Sequence, residues 1–219
     1  LKSSDVFEEA FIFATNGTEL STKWSKSIIN ECNKIKRDIS AQDINSRKDL
    51  RSLNFVTIDG SNAKDFDDAV YAEESSDGFL LYVAIADVSE YVLQDSSLDK
   101  EAFSRATSVY FEKKVIPMLP ELISNKLCSL RPNEDKLVLT CEIYLDKEGE
   151  IKSFEFFNSV ICSKNRLTYD EVEKFYQKGR ATLSDDIVSN LSTLKKIHGL
   201  RRKIREERQA IDFYLPEYR

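Results

Sequence analysis

Four aspartates, Asp59, Asp65, Asp67 and Asp68, fall within ten residues of this chain, between an apolar run at 55–58 and a second strand-like run at 69–73. Carboxylates cannot be buried unpaired, so any fold has to bring them out at the ends of strands. Residues 55–58 read as a buried strand, 60–64 as a loop and 69–73 as the start of the next strand. Asp59 then stands at a strand end, facing the other three. Two arrangements satisfy the pattern: the acids converge on a cation, or Asp59-Gly60-Ser61-Asn62 is a surface turn and the remaining acids are solvated.

Convergence has a definite chemistry. Without a cation, like charges a few ångströms apart raise one another's pKa above the reference of roughly 4. Oxygen-only ligands with no His or Cys nearby suit a hard ion, Mg²⁺ or alternatively Mn²⁺, and disfavour zinc. Such a site serves phosphoryl transfer, where bound ions activate water and stabilise the leaving oxygen. Three other acidic motifs are excluded by inspection. A helix-loop-helix calcium loop needs a third acid where Ala69 stands. An aspartyl-phosphate phosphatase needs Asp-x-Asp directly after an apolar strand, but Ser61 to Lys64 precede Asp65. A proofreading-type exonuclease needs Asp-x-Glu, and Ser61 lies two residues past Asp59.

Composition narrows the setting. A chain of 219 residues with 41% hydrophobic and 11% aromatic content can bury a sizeable single core. No run approaches the ~18 apolar residues of a membrane span, and the N-terminus lacks the basic-then-apolar order of a signal peptide. A soluble cytoplasmic protein with no membrane partner is therefore expected. Cys32, Cys128, Cys141 and Cys162 have no Cys-x-x-Cys spacing and read as small buried hydrophobes in a reducing compartment. His198, the only histidine, sits in a charged segment far from the aspartates and reads as a surface residue, so histidine general-base chemistry is not expected. The net charge of −6 argues against a phosphate-tracking surface, although a metal-dependent nuclease needs acids at its centre. The most basic stretch runs from Lys195 to Arg208, where Glu206 and Glu207 favour a solvated, salt-bridged helix face.

Along the chain, residues 1–20 read as weakly structured and 21–36 as one amphipathic helix with Trp24, Ile28, Cys32 and Ile35 on its apolar face. Residues 1–50 then form a connector and 51–219 the catalytic part. A second apolar strand at 78–86 pairs with the first through a hairpin and ends in Asp87, read as a helix cap for 89–92. A short helix at 98–105, an extended piece at 108–111 and a proline-fixed loop at 115–122 follow. Strands at 137–145 and 151–161 flank a turn at 146–149, and helices cover 168–177 and 184–209. This order suggests an α+β fold with a mixed, largely antiparallel sheet and flanking helices.

Thr57-Ile-Asp59-Gly-Ser-Asn-Ala-Lys-Asp65-Phe-Asp67-Asp68-Ala-Val70 resembles the signature of the RNase II/RNase R (RNB) family of 3′-to-5′ exoribonucleases. Val83-Ala-Ile-Ala-Asp-Val-Ser89, Arg105-Ala-Thr-Ser-Val-Tyr110, Val115-Ile-Pro-Met-Leu-Pro-Glu121, 122–130 and Leu167-Thr-Tyr169 agree with it in the same order. The resemblance runs from about Arg51 to Pro216, and Gly60 and Phe66 are more similar to the RNase R branch. It implies Mg²⁺-dependent hydrolysis of single-stranded RNA from its 3′ end, releasing nucleoside 5′-monophosphates, with no small-molecule cofactor. Asp59, Asp65, Asp67 and Asp68 match the family's four catalytic aspartates: Asp59 and Asp68 would hold the principal ion, Asp65 would support a second, and Asp67 is the carboxylate most directly needed for hydrolysis. Tyr110 resembles the aromatic that clamps terminal nucleotides, and Tyr169 the tyrosine lining the path of the 3′ end. RNA-over-DNA selectivity would come from the 2′-hydroxyl.

The resemblance also implies segments not found here: a later arginine-rich motif, partners of the 3′-end pocket, a C-terminal RNA-binding barrel and N-terminal cold-shock-type barrels. The chain reads as the N-terminal half of an RNB-type catalytic domain. Phe111-Glu112-Lys113-Lys114 departs from the Phe-Pro-x-Arg usual after the tyrosine. Two other functional classes remain: an inactive fragment or relative that binds RNA or a protein without hydrolysis, and an unrelated metal-dependent phosphatase.

Overall fold

A computed structural model describes residues 3–18, 21–111, 114–179 and 183–211, with side chains from residue 7. The chain divides into two compact units: residues 1–38 with 87–129, and residues 39–86 with 130–219. Residues 39–50, read above with the connector, group with the second unit. Among the described residues no helix is long and apolar enough to cross a membrane.

In the first unit, Ser3–Thr15 forms α1, where little structure was expected. Its Phe11 ring meets Phe111 edge-on at 4.9 Å, and Glu8 holds Lys114 at 2.6 Å. The amphipathic helix is shorter than its periodicity suggested: α2 spans Lys26–Lys34, with Ser25 as N-cap and Ile28 and Cys32 buried. Trp24 lies ahead of α2 and stacks beneath the Arg105 guanidinium at 3.9 Å. The Glu31 carboxylate accepts from the Ser97 and Leu98 amides, where a negative charge suits a helix start. Those amides open α4, Ser97–Arg105. Asp87 takes the cap position expected of it but makes no capping hydrogen bond. Only a single 3₁₀ turn, Val88–Glu90, follows, and the Asp87 carboxylate accepts from the Ser89 hydroxyl rather than from the turn's backbone. Part of the proline-fixed loop is a strand, since Val115–Ile116 pairs antiparallel with Val109–Tyr110. Glu112 and Lys113 of the departing segment lie outside the described residues.

The second unit is built on a mixed seven-stranded sheet of an α+β fold. Its strands are β1 (Lys48–Asp49), β2 (Val56–Asp59), β3 (Asp68–Ser75), β4 (Gly78–Ala86), β7 (Asp135–Asp146), β8 (Ile151–Cys162) and β9 (Asn165–Thr168); β5 and β6 are the Val109–Tyr110 and Val115–Ile116 pair. The order is β1-β8-β7-β4-β3-β2-β9, with the inner pairs antiparallel and only the outermost, β1 with β8 and β2 with β9, parallel. Nearly continuous apolar sequence makes β4 the central strand. Gly78 is required where it opens β4, because a side chain there would overlap the Leu145 carbonyl of β7.

Two helices cover this sheet, α5 (Tyr169–Lys178) and α6 (Asp185–Glu207). Ile187 and Leu191 of α6 pack with Phe175 and Val172 of α5 on Val56 and Leu167; one and a half turns on, Ile197 packs on Ala72, Phe79 and Leu145. Three basic residues of α6 are ion-paired, Lys196 with Glu74, Arg201 with Glu150 and Arg202 with Glu206, which fits the salt-bridged face read from sequence. His198 is exposed on this helix. A third short helix, α3 (Ala41–Asn45), occupies a stretch read only as polar; the Ser40–Asp43 capping box accounts for it. All four cysteines are free, Cys32 and Cys128 buried, Cys141 and Cys162 half-buried.

Candidate functional site

Sheet register brings the acidic cluster together. Asp59 is the last residue of β2 and Asp68 the first of β3, so both stand at one end of the antiparallel pair, joined by the 60–67 connection. That connection is fastened at three places. The Gly60 carbonyl accepts from the Ala63 amide at 3.1 Å, closing a turn. The Phe66 carbonyl accepts from Leu130 at 2.8 Å, and the Asp67 carbonyl accepts from Ala86, the end of β4, at 2.9 Å.

Asp59 and Asp67 feel the charges of their acidic neighbours. Burial pushes the Asp59 carboxyl above the usual carboxylate range, repulsion from Asp68, Asp65 and Asp67 adds to it, and the Arg166 charge opposes it. Asp67 is also raised, first because the protein atoms around it disfavour the charged form although solvent reaches the side chain, then by repulsion from Asp65 and Asp68. Asp59 Oδ2 is buried with no hydrogen-bond partner. Convergence on a single point, however, is not present: among the described residues no three His, Cys, Asp or Glu side chains are close enough together to hold a metal ion.

Arg166 was not singled out from the sequence. Standing on β9, it donates through Nη2 to the Gly60 carbonyl at 2.8 Å and the Ser61 carbonyl at 2.9 Å, and its guanidinium lies 5.5 Å from the Phe66 ring. The only sequence signal was a basic residue directly ahead of the Leu167-Thr-Tyr169 segment.

The two tyrosines belong to different units. Tyr169 opens α5, one residue past the end of β9, and is 63% exposed; Tyr110 lies on β5 in the first unit and is 67% exposed. Both rings are open to solvent, as a stacking platform requires.

The family model described as "RNB domain" matches residues 47–219. Ribonuclease R of Acidithiobacillus ferrooxidans is 44% identical over 196 residues, covering 89% of this chain and 45% of that protein. Ribonuclease R of Escherichia coli strain K12 is 42% identical over 199 residues, 89% of this chain and 24% of that protein. The structure of Mycoplasma genitalium RNase R in complex with double-stranded RNA superposes with a TM-score of 0.85 at 35% identity, covering 93% of this chain and 36% of that one. The same RNase R in complex with ribose-methylated single-stranded RNA gives 0.85 at 35% identity, over 93% of this chain and 32% of that one. The chain thus spans less than half the length of these relatives.

Proposed function

This chain belongs to the RNB-domain family, and from that premise we propose that it acts in 3′-to-5′ exoribonucleolysis, hydrolysing single-stranded RNA from its 3′ end to nucleoside 5′-monophosphates in the cytoplasm. Residues 51–219 correspond in this reading to the N-terminal half of an RNB-type catalytic domain and residues 1–50 to a connector ahead of it. The observation that carries it is the meeting of Asp59 and Asp68 at one end of the β2–β3 pair, with Asp59 Oδ2 buried and unpartnered.

That donor set fits a hard divalent cation: it is oxygen-only, crowded with negative charge, and holds a buried oxygen with nothing to bond. Asp59 and Asp68 would hold a principal Mg²⁺, with Mn²⁺ as a substitute, and Asp65 would support a second ion; bound there, the ions supply water activation and charge neutralisation at the scissile phosphate. Asp67 is the carboxylate on which hydrolysis depends most directly. Tyr169 lines the path of the 3′ end and Tyr110 clamps the terminal nucleotides. Stacking suits an enzyme that advances regardless of sequence, because every base has a π-face. Contacts to the 2′-hydroxyl select RNA. Neither a small-molecule cofactor nor a membrane enters the reaction. RNase R of Mycoplasma genitalium, solved with double-stranded and with ribose-methylated single-stranded RNA, supports an RNA substrate.

A second reading, RNA binding without hydrolysis, draws on the lack of three convergent ligands among the described residues. Product analysis separates the two. Oligo(A) incubated with the chain in Mg²⁺ and resolved by anion-exchange chromatography should yield AMP with a 5′-phosphate. Intact oligo(A), retained by the protein, would favour the binding reading.

A further inference from the structure

We propose that Arg166 is the positioning residue of the aspartate cluster, holding the Gly60–Ser61 turn against β9 so that Asp59 and the Asp65–Asp68 run are presented to a common cation. The proposal rests on the nuclease reading for its purpose, but its geometry stands on the sheet itself. β2 and β9 run parallel and in register, pairing Thr57 with Arg166 and Asp59 with Thr168. Side chains alternate along a strand, so Arg166 emerges on the same face as Asp59, one pleat behind it. From there its Nη2 donates to two consecutive carbonyls, Gly60 and Ser61, the residues that directly follow Asp59. The same guanidinium lies over Phe66, the residue that directly precedes Asp67. One side chain therefore grips both flanks of the connection that carries the acids.

Two orphan atoms complete the picture. Arg166 Nε is a buried donor with no acceptor, and Asp59 Oδ2 is a buried acceptor with no donor. A buried polar group left unpaired is costly, and sites that retain such groups gain them back when occupied. Asp59 Oδ2 is an oxygen that a cation would take, and Arg166 Nε is a donor still open to an acceptor. The planar fork of arginine explains the residue type, since one group must donate to the turn while keeping a further N–H in reserve.

The test compares the unmutated chain with Arg166→Gln, Arg166→Lys and Asp59→Asn, using three readouts: amide hydrogen exchange by NMR, Mn²⁺ affinity by water-proton relaxation, and melting temperature. The Ala63 amide, bonded to the Gly60 carbonyl, reports the turn. Arg166→Gln should exchange faster at Ala63 while the β7–β8 amides keep their rates, and its Mn²⁺ affinity should fall about 10- to 100-fold, the usual effect of losing a group that orients metal ligands. Arg166→Lys, which keeps the charge but not the planar fork, should show an affinity between those of the unmutated chain and Arg166→Gln. If Arg166→Gln does not fold, Arg166→Lys decides: an affinity between those of the unmutated chain and Asp59→Asn supports the proposal, and unmutated affinity together with unmutated Ala63 exchange overturns it. Unmutated values of both readouts in a folded Arg166→Gln overturn it equally. Mn²⁺ binding that is indifferent to Asp59→Asn would count against the nuclease reading instead, leaving Ala63 exchange to judge the positioning role alone.

Discussion

Asp59, the last residue of β2, is paired in register with Thr168, the last residue of β9, across a parallel pair that runs without a break from Val56 with Asn165. The pairing has two consequences. It sets Asp59, whose Oδ2 is buried, beside the N-terminus of α5, whose first residue is Tyr169. It also makes the end of the sheet one platform, where a carboxylate cluster and an exposed aromatic ring share a rigid base. Sites built on strand ends and helix starts hold their geometry better than sites on free loops.

The α5 cap should be felt in stability and in its pH dependence. Thr168 accepts from the Glu171 amide at 3.2 Å, and the Glu171 carboxylate accepts from the Thr168 amide at 2.7 Å. Thr168→Ala is expected to cost about 1 kcal/mol in urea unfolding. The Thr168 hydroxyl, which donates to the Glu171 carboxylate at 2.8 Å, and the Thr168 amide hold the Glu171 carboxyl below its ordinary value of 4.5. A depressed pKa means that the contribution is fully present above 4.5 and fades as pH falls through the lowered value. The stability gap between the chain and Glu171→Gln should therefore be constant near neutrality and close in acid; a gap that widens in acid would contradict the assignment.

Asn190 of α6 is buried and stands in for a strand. Its Oδ1 accepts from the Ala72 amide at 2.9 Å, and its Nδ2 donates to the Asn54 carbonyl at 3.0 Å, just ahead of the start of β2. Asn190→Leu removes both partners and leaves a buried amide unsatisfied, so a loss of about 1–3 kcal/mol is expected. An unchanged urea midpoint would show that the ladder closes without it.

Legibility in the sequence followed the range of the signal. The 78–86 strand and the aspartate run were readable because apolar continuity and charge crowding are local. Asp59 at a strand end was readable for the same reason. β9 was not: Asn165-Arg166-Leu167-Thr168 has one buried residue, Leu167, and becomes a strand only because β2 offers a partner more than a hundred residues away. Arg166 was hidden with it, since its value depends on the register and not on its neighbours in sequence. α1 and α3 were missed because short helices held by a cap or by packing on another segment carry little periodicity. The 212–217 part of the resemblance lies outside the described residues.

Tyr169 should contribute to RNA binding without regard to base. Its side chain is largely exposed, so Tyr169→Ala should keep its fold. Loss of one stacking platform typically costs about 1–3 kcal/mol. Fluorescence anisotropy in EDTA, with labelled oligo(A) and oligo(U), should register equal weakening for both; weakening for only one would point to base-specific readout instead.

The central claim is that the Asp59–Asp68 cluster cuts RNA from the 3′ end, and the direct test is a denaturing gel. The chain and its Asp67→Asn variant are incubated with 5′-labelled oligo(A) and oligo(dA), in Mg²⁺ and in EDTA. The account predicts a one-nucleotide ladder for RNA alone, in Mg²⁺ alone, and only from the unmutated chain. Full-length oligo(A) in every lane, or an equal ladder from Asp67→Asn, would contradict it.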